Sequence, residues 1–351
     1  MKQRYYGLRR EVWSMPDDKR KLAVLEEAIR IADQYMTESD AYDVRMDYSA
    51  AALECGCPER LFISFSWCLA KFEQNPGQYS SYSIMWHYKW VLNQIWRLPQ
   101  FSLEQIEAVF ADFERKCKQY GYTLRAYYQQ KVNFLLSQGH LEEAASYHKR
   151  WKETPRDSLS DCLACEQNLF GEYYFRINHL KRGMQTIKPI LDGRLSCRSV
   201  PHTTYSNMIV PLLKLGEFDR AIDIAKRAFR SIEGPSYLPE YGVFMEFFTV
   251  TDMPKAVKLY ERTIQLGLES KMPWDRFQYL LSVRLFLQQW SKAKRRKKLA
   301  ESEKVTLAWL DEEIGALAKA FNDRNGNDYM HRFIAEKEQN ISRLLKKISG
   351  G

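Results

Sequence analysis

The sequence predicts an all-α protein built as an α-solenoid of antiparallel helix hairpins, on three observations. Apolar residues recur at three- and four-residue spacing along most of the chain, the period of a helix with one buried face. Gly (16) and Pro (12) are scarce for 351 residues, which disfavours a loop-rich all-β fold. Between residues 126 and 268, four segments align on one template of helix, turn and second helix.

From the N-terminus, residues 19–36 carry Leu22, Leu25, Ala28, Ile29 and Ala32 on one helical face. Residues 42–55 and 59–73 form a pair of helices, broken between them by Gly56 and Pro58. Residues 80–96 and 103–120 form another pair, broken at Pro99. Region 1–120 is therefore expected to hold N-terminal hairpins with degenerate repeats.

Region 121–270 carries the repeats themselves. The first unit, 126–155, turns at Gly139, with Ala144 five residues later. The second, 162–189, turns at Asn178, with Gly183. The third, 204–230, turns at Gly216, with Ala221, Ala225 and Ala228 on its second helix. The fourth, 240–266, turns at Thr251, with Ala256. A small side chain on the first turn of the second helix lets the two helices approach closely. These small residues are spaced by 39, 38 and 35 positions, in the range of helical solenoids.

The pattern resembles the tetratricopeptide repeat family. The residues that carry the resemblance are Gly171 and Tyr174 in the second unit, Leu212, Gly216, Ala221 and Ala228 in the third, and Ala256 and Tyr260 in the fourth. The units are longer than the family's usual ~34 residues. A closing proline stands near its place only at Pro155 and, less closely, Pro235. The resemblance implies a right-handed superhelix whose concave surface is lined by the first helix of each hairpin. On that template the surface receives Gln129 and Asn133, then Asn168, Glu172 and Arg176, then Asn207 and Lys214. Asn offers a donor and an acceptor to an extended peptide backbone, and Arg176 and Lys214 suit a carboxylate. Tyr241 and Phe248 would add an apolar pocket. The Lys-and-Asn carboxylate clamp of the chaperone-binding members is not reproduced.

Beyond the repeats, residues 274–289, 302–322 and 329–348 read as helices, the last two split by Asn325, Gly326 and Asn327. Region 271–351 is expected to cap the array through Phe333, Ile341, Leu344, Leu345 and Ile348, the alternative being that its last helix engages a partner. Stretches 234–239 and 290–303 resemble linkers.

The chain contains no Gly-rich phosphate loop, no Gly-x-Ser-x-Gly and no His-Glu-x-x-His, so neither catalysis nor a cofactor is expected. Seven scattered cysteines suit a reducing cytoplasm better than a disulfide framework. Cys162-x-x-Cys165 is half a metal or redox motif; with Cys197, His179 and His202 far off in sequence, the pair is expected to be buried as small apolar residues, and no metal is expected. Tyr82, Trp86 and Trp90 form a stripe, expected as core filling rather than a stacking ledge. Lys292, Lys294, Arg295, Arg296, Lys297 and Lys298 form a basic run, expected as a solvated face, with nucleic-acid binding the alternative. The net charge of +9 favours acidic partners. An apolar run of about 18 residues is absent, as is a secretory leader, so no membrane partner is expected.

The expected function is a non-catalytic scaffold whose concave groove binds a protein or peptide. The first alternative is a peptide-responsive regulator acting through protein contacts, similar to bacterial peptide sensors built from such repeats. The second is a nucleic-acid binder using the 292–298 run.

Overall fold

A computed structural model describes residues 1–229, 232–293 and 298–349. The protein is all-α: the described residues form eighteen α-helices and two short 3-10 turns, with no strand among them. It divides into two compact units, Met1–Leu135 with Glu142–Ser160, and Leu136–Leu141 with Asp161–Gly351.

In the first unit, α1 (Lys2–Glu11), α2 (Lys19–Tyr35), α3 (Glu38–Glu54), α4 (Pro58–Gln74), α5 (Ser81–Ile95) and α6 (Leu103–Gln119) each pack on the next. Local chemistry sets the boundaries. Asp18 caps α2 by accepting from the backbone N–H of Arg20 and Lys21. Thr37 and Asp40 close a capping box on α3, and Ser102 and Gln105 close one on α6. Pro58 opens α4 at a position where a missing N–H does no harm. The buried face of α2 is Leu22, Leu25, Ala28, Ile31 and Ala32.

The chain then forms α7 (Arg125–Gln138) and α8 (Leu141–Glu153), with Gly139 at φ +79° in the turn between them. In the second unit, α9 (Leu163–Arg176) pairs with α10 (Leu180–Thr186), followed by the short α11 (Lys188–Leu191). Helix α12 (His202–Leu215) pairs with α13 (Phe218–Ala228), and α14 (Leu238–Thr251) with α15 (Met253–Glu269). Each sits where the sequence template puts it. Asn178 and Gly216 adopt the left-handed conformation that ends a first helix, at φ +59° and +86°. At the fourth turn Asp252 takes another route: it sits at φ −156° and ψ 80°, and its side chain caps α15 by accepting from the Lys255 N–H. Ala144, Gly183, Ala221 and Ala256 are all buried. The reason is direct at Gly183, where an added Cβ would fall 2.4 Å from the Phe175 ring.

The first helices form a row: α9 contacts α12, α12 contacts α14, and α14 contacts α16 (Pro273–Lys292). Helix α17 (Leu307–Asn325) packs on α16 and ends at Gly326, φ +65°. Asn322, buried at that end, accepts from the Met330 N–H at 2.9 Å and so starts α18 (Tyr329–Ser349). Helix α18 packs on α17 but also on α14 and α16, members of the row of first helices.

Candidate binding groove

One cavity, of about 270 Å³, opens on that row. Glu172, Phe175 and Arg176 of α9, then Asn207, Val210, Pro211 and Lys214 of α12, form one part of its wall. Val243 and Glu246 of α14 and Trp274 and Gln278 of α16 extend it. The opposite wall is α18, through Tyr329, Phe333, Glu336, Lys337, Asn340 and Leu344. Asn340 and Leu344, with Leu180, Lys214 and Glu336, also border an adjoining hollow of about 400 Å³ that reaches Lys347.

Helix α18 is fixed along its length by contacts far apart in sequence. At its start, Asn327 donates to the Gln138 carbonyl at 3.1 Å, and Tyr329 covers Gly139 so closely that an added Cβ would lie 2.3 Å from the ring. At its middle, Lys337 donates to both carboxylate oxygens of Glu246, at 2.8 and 2.9 Å. The Glu246 side chain is only 5% exposed, and Ser282 donates to it as well, at 2.7 Å. A buried carboxylate needs this pairing, since desolvating a lone charge costs several kcal/mol. Arg284 reaches from α16 to Glu338 and to Asp311. At its end, Lys347 donates to the Lys214 carbonyl at 3.1 Å and lies over the Phe218 ring.

Two features of the α12 wall stand out chemically. Pro211 lies inside the helix and has no N–H, so the Asn207 carbonyl loses its usual helical donor on the face that borders the cavity. Lys214 is half-buried and forms no ion pair among the described residues; burial pulls its pKa below the ordinary lysine value, with Glu336 and Glu246 opposing and Lys337 assisting. It is a cation placed where an anion is favoured. Arg176, by contrast, is already paired with Glu172 at 3.0 Å.

The structure thus brings together Glu172, Arg176, Asn207 and Lys214 of the residues singled out from sequence. The others lie elsewhere. Gln129 and Asn133 belong to the first compact unit, where Gln129 is buried and Asn133 half-buried. Asn168 is buried within α9, its Oδ1 without a hydrogen-bond partner among the described residues. Tyr241 and Phe248 are core: Tyr241 donates to the Ile232 carbonyl, and Phe248 packs on Phe229, Phe244 and Phe247. The apolar wall comes instead from Val210, Val243, Phe333 and Leu344. Of the basic run, Lys292 is exposed at the end of α16 and Lys298 pairs with Glu303 at 2.6 Å, while Lys294, Arg295, Arg296 and Lys297 lie outside the described residues.

Two other sequence expectations are corrected. The stripe Tyr82, Trp86 and Trp90 does not fill the core of α5; Ile84, Met85, Tyr88, Val91, Leu92 and Ile95 do. Tyr82 is 44% exposed, and Trp86 carries the Lys89 ammonium over its ring at 3.8 Å. The cysteines 162 and 165 are not a buried apolar pair either. Cys162 caps α9 and is exposed, and Cys197, distant in sequence, returns beside Cys165 with 3.5 Å between the sulfurs.

A scan against protein-family models gives no match, and no curated protein matches the chain. No helix among the described residues is long and apolar enough to cross a membrane.

Proposed function

We propose that this protein is a non-catalytic scaffold that binds a protein or peptide segment in the groove of the second unit, between the first helices of its tetratricopeptide-like hairpins and α18. One observation carries the reading. An amphipathic helix of the chain itself, α18, lies against the row of first helices, so this surface has the shape and chemistry to hold a peptide. The remaining cavity, about 270 Å³, has room for one or two side chains of a ligand. Lys214, without an ion pair among the described residues and partly desolvated, suits a carboxylate, and the Asn207 and Asn340 amides line the same cavity with donors and acceptors. The preferred ligand is therefore a peptide segment with an acidic side chain or C-terminus. The seven free thiols fit residence in the reducing cytoplasm.

The test is a fluorescence-polarisation screen of a short-peptide library with acidic and neutral members, against the parent and Lys214→Met. Acidic members should bind the parent and lose about tenfold or more in the variant, the scale of one charge-assisted hydrogen bond of ~1.5–3 kcal/mol. Equal binding by both proteins, or no preference for acidic members, removes the groove reading.

The peptide-responsive regulator is the second reading, favoured by the composition of the cavity wall. Because α18 forms one side, a ligand touches both α18 and the hairpins and biases their docking.

A further inference from the structure

Outside the groove, the side-chain cluster with the most definite chemistry is sulfur. Cys162 and Cys165 stand at the N-terminus of α9, and Cys197 lies in the loop between α11 and α12. The three sulfurs all lie within 4.8 Å of one another, and those of Cys165 and Cys197 are 3.5 Å apart. A tetrahedral zinc ion with Zn–S bonds of about 2.3 Å holds its sulfurs ~3.8 Å apart. The observed triangle needs only small side-chain rotations to match. A disulfide would need the two sulfurs at ~2.05 Å, and all seven cysteines are free.

Local hydrogen bonds hold these sulfurs in place. The Cys162 sulfur accepts the Cys165 N–H at 3.4 Å, which fixes the first ligand on the second. The Cys197 N–H donates to the Val200 carbonyl at 2.9 Å, closing a tight loop that holds the third sulfur in place. Among the described residues no histidine or carboxylate joins the three sulfurs, and Cys162 is exposed to solvent. Three protein ligands with one side open to water is the pattern of an accessible zinc site rather than a closed structural one.

We propose that Cys162, Cys165 and Cys197 form a three-thiolate site for a zinc ion, with water or an exogenous donor in the fourth position. The ion would clip the 192–201 loop to the start of α9. Soft thiolate ligands exclude magnesium and calcium, which prefer oxygen.

The full-length chain, reduced and equilibrated with zinc, is passed through a desalting column, and its metal content is measured by mass spectrometry. One zinc per chain is expected for the parent and for Cys68→Ser, a buried thiol outside the cluster. Cys197→Ser should weaken binding at least a hundredfold against a competing chelator. Cobalt in place of zinc should give sulfur-to-metal charge-transfer absorption in the parent and a diminished band in Cys197→Ser. Native alkylation supplies a readout independent of that variant's folding: zinc should shield Cys162 from iodoacetamide in the parent. Metal retention unaffected by Cys197→Ser, no retention at all, or a thiol count two short of seven with Cys165 and Cys197 joined would each overturn the assignment.

Discussion

His87 is held on α5 against the Trp90 ring at 4.2 Å, with its Nδ1 buried and without a hydrogen-bond partner among the described residues. Burial lowers its pKa from 6.5 to about 4, so the ring stays neutral in the fold. The unfolded chain takes up the proton near 6.5, whereas the folded chain refuses it until about 4. Unfolding therefore binds a proton in that window, and stability falls as pH drops through it, by up to about 3 kcal/mol. His87→Phe should flatten that part of the stability curve, as measured by urea midpoints between pH 7 and ~4. If parent and variant lose stability in parallel over that range, another group carries the acid sensitivity. Lys214 shows the same effect at the groove. Burial works against its charge, so holding it there weakens the fold, a cost that the proposed carboxylate ligand would offset.

Helices obey local rules until they meet distant partners, and α18 shows where the first set of rules ends. Thr37 and Asp40 spell out a capping box three residues apart, so the start of α3 could be read directly, although the apolar pattern alone put it at residue 42. The small residues 144, 183, 221 and 256 gave the hairpin register for the same reason: each acts within one hairpin. The docking of α18 is different. Its amphipathic face was plain, but Lys337 and Glu246 are 91 positions apart, and nothing local links them. Without that link the row of first helices read as open to solvent, and α18 read as an end cap. Cys197 was set aside as isolated for the same reason, lying 32 residues from Cys165 across the α10–α11 excursion. Tyr241 and Phe248 were misplaced because a helix bounded by neighbours on several sides has no polar face to set its rotation. The Lys337–Glu246 contact gives the element-scale prediction. Lys337→Met leaves a carboxylate, 5% exposed, with Ser282 alone, and should destabilise the second unit by roughly 2–3 kcal/mol, below the 3–5 of a fully buried pair. Adding Glu246→Gln should restore most of the loss. Hydrogen exchange in 329–349 would report it: amides there should exchange faster in the single variant and return toward the parent in the double.

The chain as a whole carries +9, with Lys and Arg spread along it rather than gathered in a single stripe. Such a field would accelerate the approach of an acidic peptide to the proposed groove without adding to its contacts there. Stopped-flow binding of a labelled acidic peptide should therefore show an association rate that falls several-fold between ~50 and ~500 mM salt, with a dissociation rate changed much less. A dissociation rate that carries the whole salt effect would mean that charge acts in the bound complex instead. Finally, α18 is joined to α17 by only the few residues 326–328. A segment tethered so closely meets its site at a local concentration on the order of millimolar. Any free ligand that needs the same footing competes against that standing excess. Its apparent affinity is discounted by the fraction of time the tether leaves the seat vacant, so only a ligand that grips harder than α18 could displace it.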